Sequence, residues 1–275
     1  MKRISVIVAT YNRPDALRKT LGGLLHQLEP PTDIVVADDG SAEETRRTVQ
    51  AVARKSPVPL KHVWQPDKGF RLARIRNLAV PSAQGDYIIF LDGDCVPDRY
   101  FVQDHARLAR PGFFVQGKRI LVGARMSPQF DFRSANGSRL NLFFSKEIAN
   151  AHHLIRLPWM PPLADKKLGG TRGCNLGIFK SDLAAVNGFN EAFQGWGRED
   201  SELVVRLYKY GLRRLQHPFA AVCFHLWHPE NSRVALNRND DLLSEAVAAT
   251  SFYCKYGLVQ TGIDEAENDP GRGKP

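Results

Sequence analysis

The sequence predicts an α/β fold with a mostly parallel central sheet and helices on both of its faces, on three observations. Over the first hundred residues, strand-like and helix-like segments alternate. The strand-like segments are near-continuous apolar runs, the pattern of strands buried on both faces. Polar and acidic residues stand where those runs end, and functional groups of such sheets collect at the carboxyl ends of the strands.

Taken in order, RISVIVAT is a β-branched first strand. Asn12 and Pro14 then suit a helix cap and first turn, and Leu17, Leu21, Leu24, Leu25 and Leu28 recur at helical spacing. DIVVADDGS and EETRRTVQAVARK make a second strand and helix, LKHVWQ and FRLARIRNLAV a third pair, and YIIFLD a fourth strand. These units line up Thr10 to Asn12, Asp38 to Ser41 and Asp92 to Asp94 along one rim. The second half is less regular. FFVQGKRILV reads as one strand, SRLNLFFSKEIANAHHLI as helix, and LPWMPPLADKKLGG, with three prolines and paired glycines, as a loop long enough to be functional. GCNLGIFK is a strand or turn, GWGREDSELVVRLYKYG opens a helix, AAVCFHLW is a strand, and RNDDLLSEAVAATSFYCKYG is a last helix.

One domain over residues 1–260 is expected, in two halves of about 1–122 and 123–260, with 261–275 as a flexible tail. Of the 275 residues, 43% are hydrophobic and 24% charged, which is globular composition. No apolar run reaches the roughly 18–20 residues of a membrane-spanning helix. MKRISVIVATYNRP has a basic start but lacks a small-residue cleavage site, so the expectation is a cytoplasmic protein with reduced thiols at Cys95, Cys174, Cys223 and Cys254. No CxxC pair suggests zinc or redox chemistry. Lysines and arginines total 38 against 29 acids, a formal charge of +9 that favours anionic partners without choosing among them.

Asp92 and Asp94 end a buried strand, and hard carboxylate oxygens in that spacing suit magnesium or manganese held against a diphosphate. The plain alternative is a turn whose aspartates bond local backbone NH groups. Asp38 and Asp39 fit both a capped turn and a carboxylate that accepts from a nucleobase. In GWGREDSE, glycines flank Trp196 and suit presentation of its ring, whose face fits the apolar face of a sugar. Glu199 and Asp200 start a helix, where the dipole favours negative charge. His225 and His228 end an apolar stretch and could complete a metal site. Lys68, Arg71, Arg74 and Arg76 cannot all point one way from a single helix; Arg71 with Arg74 or Arg76 are candidates for a diphosphate or sugar.

SVIVATYNRP, VADDGS, IRNLAV and GDYIIFLDGDCVP, in that order, resemble the nucleotide-binding half of family 2 glycosyltransferases with the Rossmann-like GT-A fold. GFNEAFQGWGREDSELVVRL resembles the carboxyl-terminal segment shared by β-1,4-galactosyltransferases and the bacterial chondroitin-polymerase type. The resemblance implies that Thr10, Tyr11, Asn12 and Arg13 line a nucleotide pocket and that Asp39 with Asp38 contacts the base. It implies Arg71, Arg76, Asp92 and Gly93 near the nucleotide sugar, and a manganese or magnesium ion on Asp92, Asp94 and His225, with His228 close enough to compete. Asp200 would be the general base, Glu199 a sugar contact, and Trp196 with Gly195 the acceptor platform. The implied reaction is inverting transfer of a hexose or N-acetylhexosamine from a UDP-sugar to a saccharide of the cell surface or on a lipid. The chain stops soon after an amphipathic helix where many relatives continue, so addition of a single sugar is expected rather than processive polymerisation. Its charge could hold it against an acidic membrane leaflet.

Three rival readings fit the sequence less well. A nucleotidylyltransferase should carry a Gly-rich basic loop after the first strand, and ATYNRPDAL has none. A nucleic-acid-binding protein would explain the charge, but basic residues are spread along the chain with no binding motif, so no nucleic-acid partner is expected. An inactive scaffold fits poorly with Asp92, Asp94 and Asp200 being present together.

Overall fold

The computed structural model describes residues 2–230 and 232–259. The predicted tail at 261–275 lies outside them. β1 (Ile4–Thr10) is buried throughout, and α1 (Pro14–Leu25) follows with proline in its first turn. Next come β2 (Asp33–Asp38), α2 (Glu43–Ala53), β3 (Leu60–Trp64), α3 (Leu72–Ala79) and β4 (Tyr87–Asp92), the alternation that the sequence predicts. The chain continues through β5 (Cys95–Pro97), α4 (Phe101–Leu108), β6 (Phe113–Gln116), β7 (Lys118–Val122), α5 (Phe132–Ala135), α6 (Arg139–Phe143), β8 (Ile148–Ala149) and β9 (Leu163–Asp165). It closes with β10 (Asn175–Phe179), α7 (Lys180–Ala185), α8 (Glu199–Lys209), β11 (Arg213–Gln216), β12 (Val222–His225) and α9 (Leu236–Ala248).

The strands form an eight-stranded sheet in the order β3-β2-β1-β4-β10-β6-β11-β9 and a four-stranded sheet in the order β5-β12-β7-β8. In the large sheet only β10 and β9 run against the others. One face packs Val6, Val8, Ile34, Val36 and Leu91 under Leu17, Leu21 and Leu24 of α1 and Phe101 of α4. The other packs Ile7, Val35, Ile88 and Phe90 under Ile75 of α3 and Leu203, Val204 and Leu207 of α8. Strands covered on both faces have no polar side to show, which is why their sequences are apolar without alternation. The small sheet has its own core, with Val96, Ile120, Ile148 and Phe224 against Phe130, Leu142 and Leu154.

Three segments depart from the sequence expectation. FFVQGKRILV is two strands, because the chain changes sheets at Gly117. A Cβ there would lie 2.2 Å from the Asn175 side chain, so only glycine allows this approach. The helix expected from SRLNLFFSKEIANAHHLI is instead the short α6, β8 and a 3-10 turn at Ala151–Leu154. Leu142, Ile148 and Leu154 all enter the small core, and a spacing of six would carry them to different faces of one helix. Asn150 between them has φ +61°. The last helix stops at Ala248, and the chain beyond it binds Asn187, whose Nδ2 donates to the carbonyls of Cys254 (2.8 Å) and Val259 (2.9 Å).

Candidate active site

Pairing register fixes the rim. Thr10 is opposite Asp38 and Ala9 opposite Asp92, so the ends of β1, β2 and β4 come level. Asp38 is consumed by the fold: Oδ1 accepts from the Ser41 NH at 2.8 Å, and Oδ2 lies 2.9 Å from His62 Nε2. Asp39 is buried in the adjoining wall, accepting from Gln65 Nε2 at 2.5 Å and from the Arg71 backbone NH at 2.8 Å. Burial raises its carboxyl above the ordinary range. Arg71 thus serves through its backbone, while its guanidinium turns to the Pro66 carbonyl. Asn12, at φ +47°, ties the rim together: its side-chain oxygen accepts from the Ala42 NH and its own NH donates to the Ser41 hydroxyl oxygen, both at 2.8 Å. Tyr11 stands exposed with its hydroxyl on Asp67 at 2.9 Å.

The link Gly93–Asp94 joins β4 of the large sheet to β5 of the small one. Gly93 donates to the Ala9 carbonyl at 2.7 Å, and a Cβ on it would meet that oxygen at 2.8 Å. Asp92 and Asp94 therefore face different surroundings. Asp92 Oδ1 is 2.9 Å from Nη2 of Arg76, a fully buried guanidinium whose Nη1 is 3.4 Å from Glu199. Burial raises the Asp92 carboxyl against the pull of Arg76, and Asp94 adds to the rise. Asp94 Oδ2 is 2.5 Å from Arg13 Nη1 and 3.4 Å from His228 Nε2, while Oδ1 is 3.6 Å from His225 Nε2. His225 and His228 thus both reach this carboxylate.

Asp94, Cys95 and His225 bring one ligand atom each within 4.8 Å of one another. Burial lowers His225 to about 4 against the pull of Asp94, so its imidazole is neutral at pH 7 and has a lone pair to offer. One carboxylate with one or two imidazoles suits manganese and tolerates magnesium. Cys95 does not suit either: burial and contact with the thiols of Cys174 and Cys223 keep it protonated. That trio, brought together from three strand ends, has no trace in the spacing of the cysteines.

Across a cleft of about 470 Å³ stand Trp196, Glu199 and Asp200. Gly195 (φ +76°) and Gly197 (φ +106°) hold the loop in conformations that other residues rarely adopt, and leave Trp196 38% exposed. The Gly195 NH donates to the Phe70 carbonyl at 2.9 Å, and Asn239, buried on α9, donates to Gly197 at 2.9 Å and Gln194 at 3.2 Å. Asp200 accepts from the NH groups of Gly173 (2.8 Å) and Ser201 (2.6 Å), which fixes its carboxylate at the start of α8. Glu199 is pushed up to about 7 by burial and by Asp200, against Arg76. Sequence reading missed Arg119, Arg172, Gly173, Arg233 and Asn239, none of which stands in a motif.

Residues 5–151 match the family described as Glycosyl transferase family 2, and residues 163–229 match the one described as N-terminal domain of galactosyltransferase. The chain belongs to family 2 of the glycosyltransferases. It is 30% identical over 228 residues to the validoxylamine A glucosyltransferase of Streptomyces hygroscopicus subsp. limoneus, covering 76% of this chain and 48% of that protein. It is 29% identical over 225 residues to the chondroitin synthase of Escherichia coli, covering 76% and 32%. The chain thus spans about half or less of the curated relatives it matches. Among solved structures, S. aureus TarS 1-349 in complex with UDP-GlcNAc superposes with a TM-score of 0.62 at 19% identity, over 90% of this chain and 66% of that one. The mannosyltransferase PcManGT from Pyrobaculum calidifontis, in complex with GDP-Man and Mn2+, gives 0.57 at 20% identity over 87% and 61%. These likenesses establish the GT-A fold. No helix among the described residues is long and apolar enough to cross a membrane.

Proposed function

We propose that this member of the family is an inverting, metal-dependent transferase that moves a hexose or N-acetylhexosamine from a UDP-sugar to a hydroxyl of a cell-surface glycan or lipid-linked saccharide. The observation that carries the reading is one cleft walled by Asp92 at the sheet rim and by Glu199 and Asp200 at the start of α8, with the buried Arg76 between Asp92 and Glu199 and with Asp94 two residues beyond Asp92.

Thr10, Tyr11 and Asp39 receive the nucleoside, with Asp39 accepting from the base. Asn12, Asp38 and the Arg71 backbone hold that wall in shape. Asp94 and His225, with His228 beside them, would hold a manganese or magnesium ion. When bound there, such an ion neutralises charge on the departing diphosphate. Arg76 fixes Asp92 and Glu199 relative to each other and faces the donor sugar. Trp196 and Gly195 support the acceptor, and Asp200 takes the proton from its hydroxyl as that oxygen bonds to the anomeric carbon. The bond from that carbon to the diphosphate oxygen breaks on the opposite side, so the anomeric configuration inverts and no covalent enzyme intermediate forms. The TarS complex with UDP-GlcNAc and the PcManGT complex with GDP-Man and Mn2+ are in keeping with a nucleoside diphosphate sugar in a GT-A fold.

The test is calorimetry with UDP, GDP, dTDP and CMP, with and without manganese, followed by turnover of the matching sugar donors. Manganese-dependent binding of UDP is expected. Asp200→Asn should keep that binding and lose about 10²- to 10⁴-fold in turnover, the usual worth of a positioned base. Near-normal turnover in this variant would refute the role of Asp200, and failure of every nucleotide to bind the folded protein would refute the transferase reading.

A further inference from the structure

The cleft is lined by five guanidinium groups, on Arg76, Arg119, Arg172, Arg198 and Arg233, against the three carboxylates Asp92, Glu199 and Asp200. Most of the five are accounted for. Arg76 is shared between Asp92 and Glu199, and Arg198 is 2.5 Å from Asp240 outside the cleft. Arg119 has no carboxylate partner among the described residues; its guanidinium donates to Cys174 Sγ at 3.9 Å. Its charge acts on Asp92 and His225, so it stands on the side of the leaving diphosphate.

Arg172 and Arg233 stand elsewhere. Arg172 immediately precedes Gly173, whose NH holds Asp200, and its guanidinium has no carboxylate partner among the described residues. Arg233 lies 5.8 Å from the centre of the Trp196 ring, and its one ion pair among the described residues is with Glu230, an exposed pair of little worth. Both line the same cleft as Trp196 and Asp200, where an acceptor sugar would rest. A donor diphosphate on the far side of Asp92 leaves these charges unanswered. Guanidinium groups beside an apolar ring bind carboxylate, phosphate or sulfate in preference to neutral hydroxyls, because charge-assisted, two-pronged hydrogen bonds are the stronger ones.

We propose that the acceptor is an anionic saccharide, bearing its charge on the sugar that packs on Trp196 or on its neighbour, with Arg172 and Arg233 as the residues that select it. The proposal rests on the transferase reading above and adds the class of its acceptor. It is tested by equilibrium titration of the protein with two matched pairs, a disaccharide ending in a uronic acid against its methyl ester, and a sugar phosphate against the unphosphorylated sugar. At low salt the acid of at least one pair should bind about tenfold or more tighter than its neutral partner. The advantage should shrink with ionic strength and vanish in the Arg172→Gln/Arg233→Gln double variant, while Arg172→Lys keeps part of it. Which pair shows the advantage separates a carboxylate from a phosphate source. Equal binding within both pairs, no binding of any of the four, or an advantage unchanged in the double variant overturns the proposal. Because the titration needs no turnover, it is read independently of release of UDP from a UDP-sugar without acceptor, which reports on the transferase reading itself.

Discussion

With its carboxyl pushed from 4.5 up to about 7 by burial and by Asp200, Glu199 holds its proton more tightly in the folded protein than in the unfolded chain. The sign follows from proton counting. Between those two values the native state binds more protons, so stability falls as pH rises through that window. Glu199→Gln, which mimics the protonated acid, should match the wild type below pH 4.5 and exceed it at pH 8, by an amount on the order of 1–3 kcal/mol. Urea denaturation at the two pH values measures this, and a less stable variant at pH 8 would mean that the Arg76 pair outweighs burial. A group kept under such tension belongs where chemistry needs it. Asp92, Asp94, Trp196, Glu199 and Asp200 were legible because each stands in a run whose local pattern already marks a strand end or helix start. Arg119, Arg172, Arg233 and Asn239 were not, since the cleft is assembled from segments far apart in the chain. Asp38 shows the converse: its sequence neighbours advertise a site, and its two oxygens are spent on Ser41 and His62.

Strand length decided which elements could be recognised. β1, β2 and β4 run six or seven residues whose core positions are mostly β-branched or aromatic, enough to show a pattern. β5, β8 and β9 run two or three residues, too few for any periodicity, and owe their existence to neighbours already in place. One side chain clamps the two sheets where they adjoin. Asn175, at the start of β10 in the large sheet, donates from Nδ2 to the carbonyls of Lys118 (3.1 Å) and Ala221 (2.9 Å) beside the small sheet, and its Oδ1 is 2.9 Å from His105 Nε2 on α4. His105, lowered to about 4 by burial, is neutral at pH 7 and donates to that oxygen. Asn175→Ala would take one donor each from the carbonyls of Lys118 and Ala221 and leave the buried His105 NH without its acceptor, at a cost of about 1–3 kcal/mol. Thermal melts should show the loss. Manganese affinity should fall as well, since β5 and β12 carry Asp94 and His225 on the sheet that Asn175 positions. A variant with lowered stability but unchanged manganese affinity would show that the metal pair keeps its geometry without this clamp.

At the scale of the molecule, the site draws on both sheets and a helix: the rim of the large sheet offers Thr10, Asp39 and Asp92, the corner of the small sheet offers Asp94 and His225, and α8, packed on the large sheet, offers Glu199 and Asp200. A ligand that touches all of them binds the assembled fold and has nothing comparable to bind in the unfolded chain. Its binding energy therefore adds to folding stability, by about 2.7 kcal/mol at a hundredfold excess over its Kd. For a chain of this size that is a rise of roughly 5–8 °C in Tm. UDP alone should give part of the rise through Asp39 and its neighbours, and manganese should add an increment only when UDP is present to share it. The two increments should separate by mutation: Asp94→Ala should keep the UDP effect and lose the manganese increment, whereas Asp39→Ala should weaken both. Persistence of the manganese increment in Asp94→Ala would move the ion to Asp92 and its side of the turn. In that case the 2.9 Å pair with Arg76 would have to open whenever the donor binds, and Arg76→Lys, a looser partner for a carboxylate, should then bind UDP with manganese more tightly than the wild type.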